Sequence, residues 1–134
     1  MTVRFEDGAP ALDRLLPLYE AVGWTAYLRD PARLERAVRG SAHVVAAWEG
    51  DRLVGLARAV SDGASVWFLQ DVLVHPDRQG GGIGAALVAR CRARFDGVRG
   101  VLLTDAGGPE AFYRRSGFRG AGELGLACFV LEPG

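Results

Sequence analysis

The feature that most constrains this chain is the stretch Val74-His75-Pro76-Asp77-Arg78-Gln79-Gly80-Gly81-Gly82-Ile83-Gly84, where an apolar run gives way to glycines and then to a helical pattern. Pro76 lacks a backbone donor and keeps His75 extended, so a strand arriving through residues 66–74 stops there. Consecutive glycines lower the steric cost of unusual dihedrals, which lets successive backbone N–H groups converge. The helix that follows aims its unpaired N-terminal donors at the same point. The combination predicts a cradle for an anion, best suited to phosphate or pyrophosphate. A flexible strand-to-helix connection is the plainer alternative.

The rest of the composition limits what such a cradle can hold. All sixteen basic residues are arginine, so no lysine exists to complete a G-x-x-x-x-G-K-[ST] loop or to form a Schiff base. A dinucleotide fingerprint can be laid over Gly80, Gly82 and Ala85, but that motif follows the first strand of a βαβ unit, whereas several elements and a hairpin precede it here. A third reading is an acyl-coenzyme A pyrophosphate site. Sixteen acidic residues balance the sixteen arginines, which argues against a domain held to nucleic acid by bulk charge. No apolar run reaches the length of a membrane span, and MTVRFEDGAP has no apolar signal core, so a cytoplasmic location is expected. The two cysteines, Cys91 and Cys128, cannot build a zinc site by themselves and read as small buried hydrophobes; no metal is expected.

With 134 residues, 49% of them hydrophobic, and no repeat or linker, the chain reads as one domain over 1–134. A short strand is expected around Val3 to Phe5, then a helix from Pro10 to Val22 carrying Leu12, Leu15, Leu16 and Tyr19 at helical spacing. Asp30 and Pro31 read as N-cap and first residue of a second helix that Gly40 stops after Arg39. Residues 42–49 and 52–60 form a hairpin about Gly50-Asp51, and the nearly continuous apolar run 66–74 reads as a central strand. Ile83, Leu87, Cys91 and Phe95 recur every four residues and mark an amphipathic helix. A short buried strand is expected at 101–104, a helix at 110–116 closed by Gly117, and a last strand at 124–132, with a short strand near Phe118. The fold class is α/β or α+β, with a mixed, mostly antiparallel central sheet flanked by helices.

At this point the chain resembles the GNAT family of acyl-CoA-dependent N-acetyltransferases. Gln79 to Gly84 matches that family's Q/R-x-x-G-x-G/A signature, and Glu110-Ala111-Phe112-Tyr113-Arg114-Arg115-Ser116-Gly117-Phe118 resembles its second, the FY…GF segment. The resemblance implies acetyl-CoA as acyl donor and a sheet that splays between the strands at 66–74 and 101–104. It implies that N–H groups of Gln79, Gly80, Gly81, Gly82, Ile83, Gly84 and Ala85 hold the pyrophosphate. The main chain of Val72, Leu73 and Val74 would pair with pantetheine, with Phe112 lining the cofactor and Tyr113 beside the sulfur. A phenol of pKa near 10 can donate to a departing thiolate. Many members carry Asn shortly before this last helix; here the stretch is Asp105-Ala106-Gly107-Gly108-Pro109, and Ala106 cannot make that contact.

Direct transfer needs a neutral amine, so a proton acceptor is required. Asp71 is the leading candidate as a carboxylate inside an apolar strand; an exposed residue at a bulge, or an anchor for a cationic acceptor, fits the same pattern equally, and Glu20 on the first helix is the runner-up. His75 is read as a surface-turn residue and His43 as a strand-edge residue. Trp24, Thr25, Tyr27 and Leu28, with Trp67, are expected to shape the acceptor site, and Arg78, Arg114 and Arg115 to meet CoA phosphates. The expected activity is acetyl transfer to a primary amine of a small molecule or peptide in a ternary complex, as a bacterial-type enzyme and in a possible homodimer. The alternative is a noncatalytic acyl-CoA-binding regulatory domain.

Overall fold

The computed structural model describes residues 2–133. Two compact units divide the chain, Met1–Leu103 and Thr104–Gly134. The first holds a five-stranded sheet in sequence order: β1 (Arg4–Asp7), β2 (His43–Glu49), β3 (Arg52–Ser61), β4 (Val66–Val74) and β5 (Arg99–Leu102). Neighbours are antiparallel up to β4, and β5 joins β4 in parallel. Three helices complete this unit: α1 (Leu12–Ala21), α2 (Pro31–Arg39) and α3 (Ile83–Arg94).

The sheet is covered on both faces, as its apolar strands require. Leu15, Leu18 and Tyr19 of α1 and Leu34 and Val38 of α2 form one core cluster with Val44, Ala46, Leu56 and Leu73. Ile83, Leu87, Val88 and Cys91 of α3 are buried as well. The α2 entry is set as the sequence predicts, with the Asp30 carboxylate accepting from the Arg33 N–H at 3.1 Å and Pro31 in the first turn. The aromatic link between α1 and α2 winds as a 3₁₀ turn over Thr25–Arg29.

The register of β4 fixes the geometry that follows. Its pairing with β5 runs only from Val66↔Arg99 to Leu69↔Leu102, while its pairing with β3 continues to Val74. Residues 70–74 therefore have β3 on one side and no strand on the other, so the expected splay is present. The β3–β4 ladder skips Gln70, placing a bulge immediately after β5 stops.

The second unit contains α4 (Glu110–Arg115) and a 3₁₀ turn at Ala121–Leu124, with Gly117 and Gly125 in left-handed conformations. Four expectations are corrected here. The run 124–132 joins no ladder among the described residues, and no strand forms near Phe118. A strand exists only as one partner of a ladder, and an apolar pattern encodes burial without supplying that partner. Cys128 is accordingly exposed, whereas Cys91 is buried and its thiol pushed up to about 12 by burial. The strand expected at 101–104 begins at Arg99 and alternates between exposed and half-buried, because it is a sheet edge.

Gly100 illustrates how tightly β5 is seated. A Cβ there would lie 2.5 Å from the Trp67 ring, which stacks on Phe95 at 5.4 Å and donates its indole N–H to the Val98 carbonyl at 3.1 Å. Gly100→Ala is expected to lower unfolding free energy by about 1–3 kcal/mol, the usual cost of overpacking, as read by urea denaturation.

Candidate active site

The loop after β4 is shaped by residues on both of its sides. The Gln79 amide donates to the Val74 carbonyl at 3.1 Å, folding the loop back on the end of β4. Gly80 and Gly82 take φ of 84° and 86°, where side chains are strained, and a Cβ at either would meet nothing within 4 Å. Open space therefore lies where those side chains would project. Gly82 caps α3 with no side-chain partner for the helix N–H groups, and among the described residues no backbone acceptor pairs with the N–H groups of 80–85. Free donors, open space and a helix N-terminus suit a diphosphate.

Arg78, expected to meet phosphate, is held elsewhere. Its guanidinium grips the buried Glu49 of β2 in a fork, Nε to Oε2 at 2.8 Å and Nη2 to Oε1 at 2.6 Å. Hydrogen bonding from Arg78 holds the Glu49 carboxyl below its ordinary range. A cleft of about 570 Å³ adjoins this pair, lined by Phe5, Gly81, Gly82, Ile83 and Ala86 among others. His75 lies in the turn as expected, accepting from the Asp77 N–H at 3.1 Å. His43, expected at a strand edge, is half-buried on the interior strand β2, edge-on to Phe95, and burial lowers its pKa.

On the α1 face, Asp71 is buried as anticipated, 3% exposed, but it is not an isolated carboxylate. Arg58, its cross-strand neighbour on β3 and 5% exposed, donates Nε–H to Oδ2 at 2.6 Å. Tyr19 donates to the same oxygen at 3.0 Å and Tyr27 to Oδ1 at 3.0 Å, while Arg58 Nη2 reaches the Tyr27 oxygen at 3.2 Å. Burial first, and then the charge of Asp71, push both tyrosine hydroxyls above their ordinary pKa, so they remain donors. The Tyr19 and Tyr27 rings meet edge to face at 4.9 Å, and Trp24, 37% exposed, stacks over Tyr27 at 6.4 Å.

The structure thus brings together Trp24, Tyr27 and Asp71, three predicted acceptor-site residues, and adds Arg58 and Tyr19, which sequence reasoning did not assign to the site. Arg58 had a signal: an arginine within RLVGLARAV that faces an aspartate within VWFLQDVLV once the strands are paired. Glu20 lies exposed at the end of α1. In the second unit, Phe112 and Tyr113 lie half-buried on α4, with Tyr113 edge-on to Phe112 at 5.0 Å and to Phe118 at 6.1 Å. Arg114 pairs with Glu123, and Arg115 is exposed.

An acetyltransferase (GNAT) domain model matches residues 40–120. An N-acetyltransferase of the ycf52-like type from Prochlorococcus marinus is 34% identical over 116 residues, covering 80% of this chain and 62% of that protein. The chain spans about three fifths of the length of the curated relatives it matches first. A GNAT-family acetyltransferase from Streptococcus pneumoniae has a TM-score of 0.86 at 31% identity, with 98% of both chains covered. AAC(6')-Iy, solved with the bisubstrate analogue CoA-S-monomethyl-acetylneamine, has a TM-score of 0.69 at 16% identity, over all of this chain and 99% of that one. At that identity the likeness is one of fold.

Two outcomes test this geometry. Arg58→Met leaves a buried carboxylate without its counter-charge and is expected to cost about 3–5 kcal/mol in chemical denaturation, while Arg58→Met/Asp71→Leu loses less than the single variant. Glu49 is more acidic folded than unfolded, so its contribution to stability is complete above its ordinary pKa of 4.5 and disappears as pH falls through the folded-state value. The Tm gap between the wild type and Glu49→Gln should therefore be large at neutral pH and close on acidification below that range.

Proposed function

The chain belongs to the GNAT acetyltransferase family, and from that premise we propose that it moves an acetyl group from acetyl-CoA to a primary amine of a small molecule or peptide, by direct attack in a ternary complex. One observation carries the reading. The half of β4 that β5 abandons runs straight into a glycine loop whose N–H groups have no backbone acceptor among the described residues. An extended arm with amides fits the first feature and a diphosphate fits the second, and coenzyme A joins both in one molecule.

What acetyl-CoA supplies is a thioester carbonyl open to attack by a neutral amine. The main chain of Val72, Leu73 and Val74 would receive the pantetheine arm as an added strand, and the N–H groups from Gln79 to Ala85 the diphosphate. Arg78 and the Gln79 side chain, committed to Glu49 and Val74, shape the loop and leave the phosphates to backbone donors. On the acceptor side, Trp24 and Tyr27 offer aromatic faces that attract a cation. Asp71 fixes Tyr27 in place and brings negative charge to that wall; its oxygens already accept three hydrogen bonds, which suits it to anchoring more than to taking a proton. Glu20, exposed near this wall in sequence, is the carboxylate left to accept the amine's proton. Tyr113 carries the donor role toward the departing thiolate, on the strength of its place in the FY…GF motif. Holding donor and acceptor together supplies much of the acceleration.

A thiol-release assay with acetyl-CoA and a panel of amines, polyamines, aminoglycosides and peptides is expected to show saturable turnover with at least one acceptor. Tyr113→Phe should lower kcat by about 100-fold or more while the calorimetric Kd for CoA stays unchanged. Gly82→Ala, forced out of its left-handed conformation, should weaken CoA binding about tenfold or more. CoA binding with no turnover across the panel points instead to a noncatalytic binding domain, and no calorimetric signal with CoA defeats the reading altogether.

A further inference from the structure

Two charges of opposite sign flank the turn between β2 and β3: Glu49 ends β2, Arg52 begins β3, and the two are paired across the ladder. The hairpin itself does not need them, because Gly50, at φ of 62°, supplies the left-handed position of the turn. Both side chains reach across to residues 75–78, the link between β4 and the glycine loop. Arg52 Nη2 lies 2.9 Å from His75 Nε2 and 3.4 Å from Asp77 Oδ2, and Glu49 takes Arg78 in its fork at 2.8 and 2.6 Å. The link is tied to β3 by its backbone as well, the His75 N–H donating to the Val54 carbonyl at 2.8 Å. Behind the turn, Arg4 of β1 donates to the Gly50 carbonyl at 2.5 Å. The end of the hairpin is thus held by β1 and in turn holds the entry to the loop.

The Arg52 contacts are exposed, where an ion pair contributes little. The Glu49 carboxylate is buried, and burying it costs hydration that its pair with Arg78 does not readily repay in stability. What a two-point fork adds is a fixed distance and angle. Arg78 directly precedes Gln79 and Gly80, and glycines have the most conformational freedom to lose. We propose that Glu49, assisted by Arg52, is a positioning residue for the coenzyme A diphosphate. By gripping Arg78 it holds the glycine loop in the shape that presents its N–H groups to an anion, so the loop is ordered on folding and the donor need not order it on binding. Given the acetyl-CoA reading, on which this role rests, what the brace sets is affinity for the diphosphate part of the donor and not for its pantetheine arm, which would lie along Val72 to Val74. Glu49 acts through Arg78, so its effect falls on binding and not on the rate of acyl transfer.

Calorimetric dissociation constants for CoA and for pantetheine, which keeps the arm and lacks the diphosphate, separate this role from a structural one. Glu49→Gln keeps the shape and removes the charge, leaving Arg78 to turn to solvent; its Kd for CoA is expected to rise about tenfold while that for pantetheine stays at the wild-type value. Glu49→Asp, which restores the charge one methylene short, should recover part of the loss. Arg78→Gln should weaken CoA binding as Glu49→Gln does, and the double variant no further, because the two act as one unit. Arg52→Gln, at an exposed position that puts folding at no risk, should raise the Kd for CoA about threefold. A Glu49→Gln protein that is folded by circular dichroism and binds CoA as the wild type does, or one that loses CoA and pantetheine in equal proportion, overturns the positioning role alone. A wild type that binds no CoA overturns it together with the acetyltransferase reading.

Discussion

Within three residues of β4 the sheet changes character, and the Arg58–Asp71 pair is the interaction that holds the change in place. Pairing with β5 ends at Leu69, Gln70 bulges, and Asp71 meets Arg58 across β3. An isolated charge at either position could not stay buried, since each would forfeit several kcal/mol of hydration. Together, with two tyrosine hydroxyls and the Ser41 hydroxyl, they leave no described buried side-chain polar atom unpartnered. A bulge adds local twist, and twist is what lets a parallel neighbour diverge. The buried pair keeps β3 in register with β4 through the point where β5 leaves.

The two halves of the proposed chemistry are laid out from that break. Toward α1, the network ties Tyr19 and Tyr27 to the sheet and so fixes an aromatic wall on two short elements that otherwise meet through packing and the bond from the Trp24 N–H to the Tyr19 carbonyl. Toward the end of β4, the one-sided backbone leads into a loop braced by Gln79 on the strand and by Arg78 on Glu49. Both braces use side chains to free backbone donors. The proposed acceptor and donor surfaces would thereby both be built on strand β4, with loops contributing the contacts.

Much of this was legible in the sequence because it was encoded locally. The Asp30-Pro31 helix start, the glycine loop, the hairpin about Gly50 and the apolar run of β4 each depend on a few consecutive residues, and each formed where expected. What was not legible depends on pairing between distant positions. Arg58 becomes the partner of Asp71 only through a register that a single bulged residue shifts, and the Arg78 pair with Glu49 exists only because β2 stands behind the loop. Asp71 in its apolar strand read equally as a buried carboxylate or an exposed residue at a bulge; the structure buries it beside the bulge, and burial alone does not say whether it is a base or half of an ion pair. Residues 124–132 were read as a strand from their apolar run, and among the described residues they join no ladder, since a run of apolar residues names no partner.

β5 is held to the sheet by four residue pairs and by the fit of Gly100 under Trp67, and among the described residues no strand pairs with its outer edge. An edge strand so lightly attached is the weakest wall of the gap it forms with β4, because its backbone groups on that side gain no ladder from folding.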